Sequence, residues 1–347
     1  MENQNMKIIE DTMTQQEAQS AADNKERVRA FSEKIDRIKS ELARDVVGQA
    51  GIIDNVIIAI IAGGNVLLEG VPGVGKTRLV RSLGRVLSLP FSRIQFTPDL
   101  MPSDVTGSNI VEKDADGRLN TSFRKGPIFA NLVLADEINR ATPKTQSAML
   151  EVMQEHKVTV GNSTYTLEEP FFVLATENPI EQDGTYPLPE AQMDRFIFKL
   201  IMSFPSNKEL ADIVKMTQIT MAETAEAVIG GAEILEMRAL AAEVPVIDDV
   251  LDYAVRLVSG THPELNSSDT ARKYLKYGAS PRAAQALITG AKVRALMNGS
   301  YNVSYEDIDA LAAPVLRHRV KINYNAINEK LSVDDVIAML VKETKKS

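Results

Sequence analysis

Two kinds of hydrophobic pattern divide this chain. Through its first two thirds, short runs of consecutive apolar residues recur: the run ending in "LLEG" (67–70), "RIQFT" (93–97), "ANLVLADE" (130–137), "FFVLATEN" (171–178) and "FIFKLI" (196–201). Several of these are apolar at nearly every position rather than at every second one, as strands buried on both faces of a parallel sheet require. Segments with helical patterning, Thr77–Leu87 and Lys144–Gln154, separate some of them. Strand alternating with helix predicts an α/β fold with a doubly wound parallel sheet. Two stretches interrupt the alternation. The first has "EKDADGR" at its centre, with Asp-Gly turn chemistry between alternating segments, and the second is "KVTVGNSTYTL" (157–167), with Gly161-Asn162 at its tip. Each predicts an inserted β-hairpin.

At either end the pattern differs. Residues 1–25 are polar, rich in Gln, Glu and Asn, and read as a mobile tail or frayed helix. From Lys25 to Leu42, Val28, Phe31, Ile35 and Ile38 recur at helical spacing. Beyond Pro205 the apolar strand runs stop. "NKELADIVKMT", "ILEMRALAAEV", "IDDVLDYAVRLVSGTH", "SPRAAQALITGAKVRALMNG" and "SYEDIDALAAPVLRHRV" carry apolar residues three and four apart, with Ser304 and Asp307 as a capping signal and Gly299 as a stop. The expected division is a tail over 1–25, an α/β core over 26–205, and a linker helix with a small all-α lid over 206–347.

The chemistry begins where the first strand ends. Gly70-Val71-Pro72-Gly73-Val74-Gly75-Lys76-Thr77 matches G-x-x-x-x-G-K-[ST] at every fixed position, with an apolar strand before it and a helix after. Glycines let successive backbone N–H groups point into one concavity at a helix N-terminus, where positive partial charge suits phosphate oxygens. Lys76 would sit on the β- and γ-phosphates and the Thr77 hydroxyl would ligate Mg²⁺; Arg78 extends the candidate nucleotide-binding run. Asp136 ends a buried strand, so its carboxylate emerges at the carboxyl edge of the sheet, where it can hold Mg²⁺ through water. Glu137 follows, placed to orient or deprotonate the attacking water. Asn178, ending the next buried strand, could hydrogen-bond the water and a phosphate oxygen. Arg195, before the fifth strand, and Arg282, in the first turn of a C-terminal helix, are candidate cations for the developing charge, although isolated arginines are commonly solvated.

Composition narrows the class. The 347 residues suffice for about two domains, and 44% apolar with 25% charged residues is globular rather than disordered. A net charge of −8 argues against a dedicated nucleic-acid binder. No cysteine is present, so disulfides and thiolate metal sites are excluded. The N-terminus lacks the basic flank and apolar stretch of a secretory signal. The most apolar run, Val56 to Leu68, is short and interrupted by Gly63, Gly64 and Asn65, so no membrane span is expected and the chain reads as cytoplasmic. His156, His262 and His318 have no ligand spacing. "RHRVKINY" (317–324) is basic and reads as a solvated face, a subunit contact or, less readily, a nucleic-acid contact.

Together these motifs resemble an AAA+ ATPase. The stretches "LADEINRATPKTQSAMLEVMQE" (134–155) and "ATENPIEQDGTYPLPEAQMDRF" (175–196) are similar to the MoxR family in particular, and the likeness covers most of residues 40–347. The resemblance implies that Lys76 and Thr77 form Walker A, Asp136 and Glu137 Walker B, and Asn178 sensor 1. It makes Arg195 the arginine finger that reaches a neighbouring subunit's ATP and Arg282 sensor 2. It sets "DVVGQ" (45–49), with Val47 and Gly48, beside the adenine, and makes the hairpins the helix-2 insert and pre-sensor-1 hairpin. It further implies ATP and Mg²⁺ as cofactors, a homo-oligomeric ring, usually hexameric, and protein clients, often with von Willebrand factor A-like partners. A lid carrying Arg282 would move on turnover and close the site. Two alternatives stay open: a nucleic-acid motor or loader, against which the acidic "EKDADGR" and cation-free "VGNSTY" weigh, and a nucleotide-gated scaffold with little turnover, which the intact Lys76, Asp136, Glu137 and Asn178 disfavour.

Overall fold

The computed structural model describes residues 2–113, 119–179, 184–219, 224–265 and 268–345. The strands that position the site are β1 (Val66–Gly70), β2 (Phe91–Gln95), β3 (Gly107–Lys113), β4 (Leu119–Lys125), β5 (Leu132–Asp136), β6 (Lys157–Val160), β7 (Ser163–Thr166), β8 (Phe172–Glu177) and β9 (Phe198–Met202). Five of them form one parallel sheet in the order β2-β5-β8-β1-β9. Side chains alternate across it. Val66, Leu68, Leu132, Leu134, Phe172 and Leu174 enter one hydrophobic cluster, while Leu67, Val133, Ala135, Val173 and Ala175 enter another. Both faces are covered, which is why the runs are continuously apolar.

Three helices lead into the sheet: α1 (Glu2–Asp45), α2 (Ala50–Ala62) and α3 (Lys76–Val86). The backbone of α1 is helical from Glu2, well before the segment where periodicity predicts it, and its Val28, Phe31, Ile35, Ile38 and Leu42 are buried. α2 is not marked by periodicity in the sequence. Ile53 and every residue from Val56 to Ile61 are buried, so past Asp54 and Asn55 it has no polar positions to create a helical rhythm.

Both hairpins form. β3 pairs antiparallel with β4, and β6 with β7 around Gly161, whose φ of +62° suits glycine. The Asp-Gly turn expected at the tip of the first lies outside the described residues. The hairpins meet through aromatic rings: Phe123 stacks on Tyr165 with centroids 4.1 Å apart at 17°, and Phe129 packs edge-on against both.

The C-terminal region is built from the helices Asn207–Ile219, Gly231–Glu243, Asp248–Ser259, Pro281–Met297, Tyr305–Leu316 and Val333–Thr344, with shorter pieces between. Ser304 and Asp307 make the expected capping box, and Gly299 follows the end of Pro281–Met297 with φ +77°. Its buried residues, among them Leu287, Leu311 and Val336, belong to the same cluster as α1, α2 and one face of the sheet.

The basic segment after Leu316 departs from the expectation of a solvated face. Arg317 Nη1 donates to Lys199 O at 3.0 Å, His318 Nε2 lies 3.0 Å from Phe196 O, and Arg319 donates to Phe196 O at 2.7 Å and Ile197 O at 3.2 Å. His318 and Arg319 are buried. Three consecutive side chains thus satisfy carbonyls at and just before β9, the edge strand, and fasten the helical region to the sheet.

Candidate functional site

β5, β8 and β1 are adjacent and parallel, so the residues that follow them emerge side by side at the carboxyl edge. The glycine loop follows β1, Glu137 follows β5 and Asn178 follows β8. Three of the motifs found in the sequence are thereby brought together.

The loop turns into α3 with Gly73 at φ +83° and Gly75 at +93°, conformations that favour glycine, and a Cβ at either would meet open space. Gly75 is the N-cap of α3 and no side chain caps the helix, so its first N–H groups face the concavity. Lys76 is buried, and its Nζ donates to Gly70 O at 2.6 Å, closing the loop on itself. Burial lowers the lysine pKa, while the charges of Asp136, Glu137 and Glu69 act in the opposite direction. Thr77 lies half-buried in the first turn.

Next to the loop is a cavity lined by Pro72, Gly73, Val74, Gly75 and Arg78 on one side and by Val47, Phe204, Leu210, Ile213 and Met216 on others. Arg78 Nε is buried there without a hydrogen-bond partner. The polar cradle and apolar wall fit a phosphorylated ligand with a planar apolar part. Val47 lines this cavity, while Gly48 turns at φ +71° against the side chain of Glu209. Asp45 fixes the segment. Burial alone would raise its pKa, but hydrogen bonds from Thr224, Ser82 and Ala225 hold it below the usual carboxylate range.

Asp136 and Glu137 carry a network that sequence reasoning missed. Thr176 Oγ1 donates to Asp136 Oδ1 at 2.6 Å and accepts from Glu137 N at 2.8 Å. Arg93 Nη2 reaches Asp136 Oδ2 at 2.7 Å. Glu137 Oε2 accepts from Gln95 Nε2 at 2.8 Å and from Arg140 Nη1 at 3.1 Å. Glu137 itself has φ +58° and ψ +49°, a left-handed conformation uncommon for a side-chain-bearing residue. The available signal was weak: Arg93 and Gln95 are polar residues two apart on a strand, which places them on one face.

Arg195 and Arg282 lie elsewhere. Ile197 N donates to Asn65 O at 2.8 Å, so Arg195 sits just ahead of β9, level with the chain entering β1, at the amino edge of the sheet. There it shares a cavity with Arg282, Asp194, Arg319, Gly63 and Gly64, and no residue lining this cavity lines the loop cavity. Arg195 Nη1 donates to Leu150 O at 3.2 Å, and Arg282 Nη1 is 3.7 Å from Asp194 Oδ2. The two arginines are brought to each other rather than to the phosphate loop of their own chain. A lid closing Arg282 onto that loop is not the arrangement observed.

Comparison with known proteins identifies the family and the fold. A family model described as "ATPase family associated with various cellular activities (AAA)" matches residues 65–198, and one described as "AAA lid domain" matches residues 268–339. The chain is 41% identical to Chaperone MoxR1 of Mycobacterium tuberculosis over 87% of its own length and 80% of that protein's. It is 31% identical to Protein MoxR of Paracoccus denitrificans, over 79% and 85%. A crystal structure of a protein from Cytophaga hutchinsonii superposes with a TM-score of 0.85 at 39% identity, covering 94% of this chain and 98% of that one. With its parallel αβα core, helical lid and glycine loop, the chain belongs to the MoxR family of AAA+ ATPases.

Proposed function

We propose that the protein hydrolyses ATP, with Mg²⁺ as cofactor, in a closed ring of identical subunits, and uses turnover to remodel or mature partner proteins. The observation that carries this reading is the separation of the two half-sites. The phosphate loop, Asp136, Glu137 and Asn178 occupy the carboxyl edge of the sheet, and Arg195 and Arg282 the amino edge. Strands of five residues at ~3.3 Å each put roughly 16 Å between those edges. A complete site then needs two chains, one giving the loop and the other the arginines. Such a contact is heterologous, and repeated around an axis it closes into a ring. Six subunits is the number the family resemblance implies.

Within one site, loop N–H groups and Lys76 would hold the β- and γ-phosphates. The apolar wall around Val47 and Phe204 would take the base. Thr77 and Asp136 would hold Mg²⁺, which neutralises phosphate charge when bound. Arg93 already occupies Asp136 Oδ2, so it must yield that oxygen or leave contact to a bridging water. Glu137 orients the attacking water and accepts its proton, and Asn178 holds water and phosphate in line. The neighbour's Arg195 and Arg282 balance charge as the γ-phosphoryl group leaves, a contribution of about 10³–10⁵ for an arginine supplied in trans.

Clients would be proteins, von Willebrand factor A-like proteins among them, and the site of action the cytoplasm. The name Chaperone MoxR1 of one relative supports protein clients. Among the described residues no helix is long and apolar enough to cross a membrane. Burial of His318 and Arg319 removes most of the one basic stretch that favoured nucleic acid.

The test is steady-state ATPase with Mg²⁺ or with chelator, alongside mass measurement in ATP. Lys76→Ala should lose nucleotide binding. Arg195→Ala should bind ATP, assemble, and lose about 10³-fold in turnover. Full-rate Arg195→Ala would overturn the shared site, and turnover without Mg²⁺ would remove the metal.

A further inference from the structure

Asp194, the residue before Arg195, is where the helical region meets the α/β core. Ser280 Oγ lies 2.9 Å from its Oδ1 and 2.8 Å from its Oδ2. Arg319 Nε donates to Oδ1 at 2.8 Å, and Arg319 Nη2 donates to the Asp194 carbonyl at 3.1 Å. Arg282 Nη1 stands 3.7 Å from Oδ2. Burial disfavours the Arg319 cation and Arg282 repels it, while Asp194 acts against both. One carboxylate therefore faces two guanidinium groups, one locked in the interior and one half exposed.

Ser280 ties these contacts to the direction of a helix. It is the N-cap of Pro281–Met297, its oxygen accepting from Arg282 N at 3.3 Å while its hydroxyl bonds Asp194. The first turn, which bears Arg282, is thus pinned to the residue that precedes Arg195. We propose that Asp194 is a positioning residue that holds Arg282 of the helical region beside Arg195 of the core, so that both are presented to a neighbour's nucleotide as one unit. This rests on the ring reading above.

Asp194→Asn is the direct variant, because an amide keeps hydrogen bonds to Arg319 and Ser280 but loses the charge that attracts Arg282. Ser280→Ala weakens the same link without disturbing buried Arg319. Both should bind ATP and assemble as the wild type does and lose about 10²-fold in kcat, with KM for ATP little changed. Mixing with Lys76→Ala subunits, which have a dead loop but intact arginines, should restore activity to either, with a bell-shaped dependence on ratio. A Lys76→Ala/Asp194→Asn double variant should fail to restore Arg195→Ala. If Lys76→Ala rescues Arg195→Ala but not Asp194→Asn, the defect lies in the variant's own site and the proposal is wrong. Wild-type kcat for both single variants also overturns it. If mixed rings are verified by mass and Lys76→Ala rescues not even Arg195→Ala, the shared site itself fails.

Discussion

Gln95 holds the carboxylate of Glu137: its Nε2 donates to Oε2 at 2.8 Å, from the end of β2 to the residue following β5. Arg140 donates to the same oxygen. A carboxylate held by two donors is less free to turn toward a water. Gln95→Leu should therefore raise basal turnover severalfold with KM for ATP nearly unchanged, read by steady-state kinetics. A fall in kcat would mean that Gln95 supports the productive position instead.

Glu137→Gln should keep ATP and Mg²⁺ binding, since Lys76, Thr77 and Asp136 remain, and slow turnover by about 10²-fold or more. Nucleotide titrations beside ATPase assays separate the two effects. Unchanged turnover would take Glu137 out of the chemistry.

His318 should make the fold acid-sensitive. Burial and then the positive charge of Arg319 push its pKa well below 6.5, with lesser help from Lys199 and Arg317 and against the opposing effect of its bond to Phe196 O. The unfolded chain then takes up a proton below about pH 6.5 that the folded chain refuses. The neutral-ring stability is intact above that pH and declines on acidification toward the depressed folded value, by up to about 1.4 kcal/mol per pH unit. His318→Gln should flatten this slope in denaturation curves taken from pH 7.5 to 5.5. An unchanged slope would assign the acid sensitivity to other groups.

The Phe123–Tyr165 stack should couple the two hairpins energetically. A double-mutant cycle with Phe123→Ala and Tyr165→Ala, measured by chemical denaturation, should give about 0.5–1.5 kcal/mol of interaction. Simple additivity would make the hairpins independent.

Nucleic acid should bind weakly and stimulate ATPase little, with a shallow salt dependence, because the acidic "EKDADGR" and cation-free "VGNSTY" of the hairpins offer few cations to release phosphate counterions. Several-fold stimulation by DNA or RNA would reverse the ranking of protein over nucleic-acid clients.

Legibility followed how local each feature is. The glycine loop and "VLADE" were readable because their chemistry depends on neighbours in sequence, and the central strands β1, β5 and β8 because an enclosed strand is apolar at nearly every position. Arg93, Gln95 and Thr176 were not. Their roles depend on β2 and β8 flanking β5, and sheet order is not written in any one segment. Arg317, His318 and Arg319 read as a solvated patch because nothing in "RHR" reveals that the carbonyls of an edge strand await it. Arg282 was legible as a residue but not as a location. The direction in which the helix Pro281–Met297 aims it is set by contacts with Asp194, far away in sequence.

The fastening of residues 317–319 to the carbonyls of Phe196, Ile197 and Lys199, over a hydrophobic cluster shared by α1, α2, the sheet and the C-terminal helices, sets the stiffness of the molecule. A hinge opening there would strip several buried hydrogen bonds and bare apolar surface in the same movement, so that seam resists bending. A torque on the helical region is transmitted into β9 rather than lost between two loosely joined lobes. In the proposed ring, the compliant joint would then be the contact between one chain and the next.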